Sequence, residues 1–195
     1  MQEIFYEESA RTQDEKGAKV KYNIFRILSY VSYFLLFVWG VISLYCFPLT
    51  GNLTTVLINL LFFLLPIAMF LASGIILGKI KNKFYVDYDY TFVTGSVRIS
   101  KVIANVKRRH IISFESSQIE TIGKYDSETF NKYNSMPNIS KQIFTSNVSP
   151  DKDKDFYYIV VNSSSKYLFV LECTETFIVQ ILKFAGRSVL EKDFK

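Results

Sequence analysis

Two periodicities divide the chain. From Ile27 to Gly78 no residue is charged and most are apolar. A helix needs about 20 apolar residues to cross about 30 Å of hydrocarbon, so this window is too long for one span. The turn-rich cluster Pro48-Leu49-Thr50-Gly51-Asn52 divides it. The expected spans are residues 24–47 and 55–77, a transmembrane helical hairpin over 24–78 with a very short connection. Hydrocarbon offers no partners for backbone polar groups, so such a stretch must bond within itself as a helix.

Past Lys79, Lys81 and Lys83 the period changes to two. Phe84, Val86, Tyr88, Tyr90 and Phe92 alternate with Tyr85, Asp87, Asp89, Thr91 and Val93. The first set is expected to face a core and the second water. Asp87 and Asp89 then share the wet face, with no His or Cys nearby to make them a site. Thr94-Gly95 forms a turn. Strand character continues over Ser96–Asn105, where a parity change between Ile99 and Val102 predicts a bulge. It resumes over His110–Phe114 and Ser117–Lys124. Ser127–Tyr133 reads as a short helix ended by Ser135-Met136-Pro137-Asn138, Lys141–Thr145 as a short strand, and Asn147–Asp155 as a loop. "DFYYIVVN" and "KYLFVLEC", joined by Ser163-Ser164-Ser165, give a hairpin. The last helix, about 174–186, has Thr174 as N-cap and Glu175 in its first turn. Phe177, Ile178, Ile181, Leu182 and Ala185 form its apolar stripe, and Gly186 its stop. An antiparallel barrel or sandwich plugged by one helix satisfies this count.

Length and charge add the topology. The 195 residues suit one domain with an appendage. Net charge is +5, and Lys and Arg crowd the ends of the apolar window. Arg11, Lys16, Lys19, Lys21 and Arg26 precede it; Lys79, Lys81 and Lys83 follow it. The connecting turn has none. The positive-inside rule puts both termini in the cytoplasm, in a two-pass protein of the inner (plasma) membrane. Residues 1–23 are then a polar cytoplasmic segment, and 79–195 a cytoplasmic domain. No cleavage site follows the first span, so it reads as an uncleaved anchor. The spans hold no ionisable residue, unlike a conduction path. Gly74 and Gly78, and Ala68 and Ala72, are small-xxx-small pairs. They are expected to pack the two spans together, with homodimerisation as the alternative.

The chemistry-bearing residues are sparse. Cys46 and Cys173 lie far apart, with no disulfide framework or zinc spacing. "DKDKD", Asp151–Asp155, begins like a calcium loop but offers Phe156 and Asn162 where Gly and Glu are required. His110 has no nucleophile or carboxylate partner in sequence, and no P-loop, nucleophile elbow or zinc-protease motif occurs. The expectation is therefore no metal, no cofactor and no enzyme. The suggestive set is basic: Arg98, Lys101, Lys107, Arg108 and Arg109. The first reading of these residues is a solvated hairpin; the alternatives are contact with anionic headgroups, worth about 1 kcal/mol for each base near a bilayer, and a protein or nucleic-acid partner. Nucleic acid is disfavoured, because no docking element accompanies the charge.

The stretch "YTFVTGSVRISKVIANVKRRHIISFESSQIETI", Tyr90–Ile122, resembles the start of bacterial pleckstrin-homology-like (PH-like) membrane domains. It has an aromatic strand, a tight Gly turn, a basic second strand and an I-x-F…I-x-x-I run. "YDYTFVTG" and "LECTETFIVQIL" look like a family of two-span membrane proteins of Gram-positive bacteria, to which no activity is attached. The resemblance covers roughly Lys83–Gly186. It implies an α+β chain: an N-terminal two-helix transmembrane hairpin, then a PH-like antiparallel β-barrel or sandwich capped by a C-terminal helix. Eukaryotic relatives that bind phosphoinositides place basic residues around the first strand–strand loop. Here that loop is Thr94-Gly95 and the first base is Arg98, so phosphoinositide recognition does not carry over, and a fold alone fixes no function. The expected role is that of a membrane-anchored interaction domain, for scaffolding or for sensing the membrane surface. The alternatives are a non-catalytic subunit of a larger envelope complex and, as an outsider, an enzyme on the same scaffold.

Overall fold

The computed structural model describes residues 4–46 and 51–191. Pro48, Leu49 and Thr50 of the expected turn, Phe47 at the end of the first span, and Lys192–Lys195 lie outside the described residues. The chain forms two compact units. One is Glu15–Tyr85; the other joins Met1–Asp14 to Val86–Lys195.

The first unit is a pair of helices, α1 (Glu15–Cys46) and α2 (Leu53–Ile80), followed by a 3-10 turn over Lys81–Lys83. Both helices are long and apolar enough to cross a membrane. At 1.5 Å per residue, α1 extends to about 48 Å, and its first turns are the polar ones. Their contact uses small and hydroxyl side chains. Ser29 Oγ donates to Gly74 O at 2.9 Å, and Trp39 Nε1 donates to Phe63 O at 3.0 Å. A Cβ on Gly74 would lie 2.7 Å from the Tyr33 ring, so glycine is what lets that ring seat. Gly78 approaches Ser29. Ala68 and Ala72 are exposed on α2, so of the two small pairs the glycines pack the helices together and the alanines do not.

The second unit is two four-stranded sheets. The first runs β1 (Phe5–Ala10), β2 (Val86–Val93), β3 (Ser96–Ile103), β4 (Lys107–Glu115), in that spatial order and antiparallel throughout. The second has β5 (Ile119–Lys124), β6 (Ile139–Ile143), β7 (Asp155–Asn162) and β8 (Lys166–Cys173), in the order β5-β7-β8-β6. Inward residues of both sheets meet in one core with Tyr90, Phe92, Ile99, Phe169 and Leu171. Phe177, Ile178 and Ile181 of α4 (Glu175–Ala185) close it. A smaller cluster on the outer face of the second sheet sets Phe130 of α3 (Glu128–Ser135) against Tyr158, Val160, Leu168 and Val170. Ser127 caps α3 by accepting from Phe130 N at 3.1 Å. A bulge occurs at the expected level but on the neighbouring strand, since β3 itself keeps its alternation. Ile99 pairs with Ile112 and Ser100 with His110, leaving Ile111 as the extra residue.

Three expectations need correction. The polar segment 1–23 is not outside the domain: Phe5–Ala10 is a strand paired with β2, Ala10 opposite Tyr88. The helical pair is thus an insertion between two neighbouring strands of one sheet. The second sheet is mixed, because β6 runs parallel to β8. Two chain reversals separate them, the 144–154 loop and the Ser163–Ser165 turn, and two reversals restore direction. Asp87 and Asp89 are not solvated; each is 6 % exposed. Ser9 beside Asp89, Thr12 past the end of β1, and Arg108 from β4 enclose the two carboxylates.

Candidate functional site: a basic hairpin edge

The β3–β4 hairpin turns at Ala104 and Asn105, whose φ values of 52° and 56° are both left-handed. Val106 N donates back to Ile103 O at 3.1 Å. Paired positive φ matches the twist of adjoining strands. Val106 stands at the tip, 88 % exposed. Because β4 ends its row of strands, residues 107–111 are exposed on both faces.

Register then splits the basic set. Lys101 pairs with Arg109 and Ile103 with Lys107, so these three cations share one face. Val102 pairs with Arg108, and Asp87 with Val102, so Arg108 shares the opposite face with the buried aspartates. Arg98 lies on that second face, four residues from Val102. The five residues are therefore not one patch.

Arg108 is already engaged. Its guanidinium lies 2.6 Å from Asp89 Oδ2 and 3.4 Å from Glu7 Oε1. The contact to Asp89 is a charge pairing rather than a well-aimed hydrogen bond. Asp89 Oδ1 accepts from Ser9 Oγ at 2.7 Å, and Asp87 Oδ1 accepts from Thr12 N at 2.7 Å. Ser9, Asp87, Asp89 and Arg108, with Arg11, Val102 and Asn105, line an open hollow of about 260 Å³. A carboxylate taken out of water is costly unless paired; here chain donors and Arg108 do the pairing, which gives the aspartates a structural task.

A second polar network holds β1 from the other side. Glu172 is 0 % exposed. Its carboxylate accepts from Thr145 Oγ1, from Asn147 Nδ2 at 2.8 and 3.0 Å, and from Asp151 N at 2.9 Å. Asn147 Nδ2 also donates to Arg11 O at 2.7 Å, and Lys154 Nζ donates to Ser9 O. Glu8, on β1, accepts from Thr174 N at 2.9 Å and Thr174 Oγ1 at 3.0 Å, and pairs with Lys154 at 3.7 Å. Thr174 heads α4 as expected, but its hydroxyl serves Glu8 instead of the helix. The "DKDKD" loop is thus a clamp on β1. Among the described residues no cluster of three or more metal-ligating side chains occurs. Burial pushes the Tyr90 phenol and the Cys173 thiol well up, so the thiol is inert.

The lysines at the end of α2 remain at the margin of the helical unit. Lys79 and Lys83 are exposed, and Lys81 Nζ lies 5.8 and 6.0 Å from the Tyr22 and Tyr30 rings.

The basic set was readable in the sequence, but its division was not: it depends on register and on the carboxylates of β1. Alternation of Tyr6, Glu8 and Ala10 was the available signal for β1. Val106 and Glu172 gave none; each is one residue of unlike polarity inside a run.

Two facing sheets closed by a C-terminal helix, with an apolar helical pair inserted after the first strand, define a PH-like domain joined to a candidate membrane hairpin. The chain belongs to the family described as Bacterial PH-like domain (DUF6106), whose model matches residues 3–191. That match takes in β1 and both helices. No curated protein and no solved structure matches the chain.

Proposed function

We propose that the chain is a two-pass membrane protein whose PH-like domain lies in the cytoplasm and works by interaction, as a scaffold that contacts anionic headgroups, not by catalysis. One observation carries the topology. β1 precedes α1, β2 follows α2, and the two strands are hydrogen-bonded neighbours. A chain that leaves a compartment between them must return to it, which needs an even number of crossings. Two apolar helices supply two. The cations flanking both helices support the cytoplasmic side, and the paired state of Asp87, Asp89 and Arg108 supports a non-catalytic reading. Cysteine accessibility tests it. A cysteine at Asn52 should label from outside, and a reporter fused after Lys195 should report the cytoplasm. A reporter at Lys195 found outside, or a full chain extracted without detergent, overturns it.

A second reading is favoured by Ala68 and Ala72, which are exposed on α2. Small residues allow close helix approach, so this face suits a partner helix, from a second copy or a larger envelope complex. Stoichiometric subunits retained in mild detergent would support it; a monomer would remove it.

A further inference from the structure

We propose that the tip of the β3–β4 hairpin is a wedge for anionic phospholipid. Val106 enters the interfacial layer, and Lys107 and Arg109 hold headgroup phosphates beside it. The inference rests on the membrane reading above and names its ligand.

Three features converge on this tip. Val106 is an exposed apolar side chain in the turn of the β3–β4 hairpin, with cations directly after it. An isolated exposed valine needs no explanation, but one set against two cations is the minimal interfacial pattern: an apolar residue for the acyl boundary and positive charge for the phosphates. The turn is also held, by two left-handed residues and the Val106 N to Ile103 O bond, so little ordering is lost on contact. Finally, alternation divides the labour along β4. Arg108 is tied to Asp89 and Glu7, whereas among the described residues no ion pair engages Lys107 or Arg109. Those two lie about 7 Å apart along one face.

A single valine with two cations is a poor membrane anchor in free solution. Here the chain supplies the anchor. α2 ends at Ile80 and β2 starts at Val86, so tethering converts a weak contact into an intramolecular one at high effective concentration. Each cation then changes the equilibrium constant for contact by about fivefold. The competing explanation is that cations on a terminal strand only deter edge-to-edge pairing.

The test uses the full chain carrying Cys46→Ser in nanodiscs, either of phosphatidylcholine or of equal parts phosphatidylcholine and phosphatidylglycerol. Cys173 is buried and stays. An environment-sensitive dye at Val106→Cys should brighten and shift to the blue in the phosphatidylglycerol discs, and lose the response in high salt. Dye at Ser164→Cys, on the exposed β7–β8 turn at the other end of the strands from the 144–154 loop, should stay water-like. Lys107→Glu with Arg109→Glu should abolish the response: losing the two cations alone lowers the equilibrium constant for contact by about 25-fold, and the added carboxylates repel the headgroups further. In the unlabelled chain, amide exchange at 103–107 should slow in the same discs. A dye that stays aqueous in seated chains overturns the wedge and leaves the anchor standing. So does an equal response in both lipids, or one untouched by the double reversal. A chain that does not enter discs overturns both readings.

Discussion

Replacing Glu172 by alanine should release β1 from the domain. The carboxylate is fully buried and accepts from Thr145, Asn147 and Asp151, all on the 144–154 loop. That loop in turn reaches β1 through Asn147 to Arg11 O and Lys154 to Ser9 O. Alanine leaves three donors without an acceptor. A buried unsatisfied donor costs about 1–3 kcal/mol, and water entering the cavity returns part of this, so the net loss is about 3–5 kcal/mol. That is a large share of the 5–15 kcal/mol typical of a domain. Glutamine keeps one acceptor but turns an NH₂ toward donors, and should cost about 1–3 kcal/mol. The assay is amide exchange of the full chain in detergent, followed in peptides covering 4–14 and 144–154. Both should exchange about a hundredfold faster or more in Glu172→Ala, less in Glu172→Gln. The reference is Glu120→Ala, which removes a partly exposed pair with Lys166 at 2.7 Å and should cost at most about 1 kcal/mol. If Glu172→Ala behaves like Glu120→Ala, or loosens the loop while β1 stays protected, the line of support drawn from Glu172 to β1 is wrong.

Further outcomes follow from local geometry. Gly74→Val drives a side chain into the Tyr33 ring and should weaken α1–α2 packing by about 1–3 kcal/mol, seen as a lower melting temperature in detergent; Ala72→Val, on the exposed face, should change little in a monomer. Ala104→Gly removes the penalty of an alanine at φ 52° and should stabilise by about 1 kcal/mol, raising the melting temperature by about 2–4 °C. Alkali should destabilise the domain. Burial first, then nearby Asp155, raises the Tyr157 phenol from 10.0 to about 12. A raised acid favours the folded state while protonated, so this contribution is complete below pH 10.0 and lost as pH climbs through about 12, measurable by circular dichroism against pH.

Much of the fold was legible because burial writes itself as period. The seven strands from β2 to β8 and α4 carry apolar repeats and the two long helices a charge-free apolar run, whereas the Ile99–Val102 parity change pointed to β3 and the extra residue, Ile111, is on β4. What was not legible depended on partners distant in sequence. Asp87 and Asp89 look solvated from their own strand; Ser9, Thr12 and Arg108 make them buried. Five basic residues look like one patch in a list, and register with β2 and β3 sorts them onto two faces. Glu172 sits in "KYLFVLEC" as an interruption of an apolar run, and only the returning loop explains it.

The insertion of the helices between β1 and β2 has a consequence for biogenesis. The ribosome makes β1 long before its partner, and Ala10 must wait for Tyr88. In a chain whose helices enter a bilayer, that wait spans the whole of membrane integration. Sheet closure then acts as a check on translocation: a nascent chain that threads one helix and stalls has its two halves on opposite sides, and its unmated strand is left as bait for proteases.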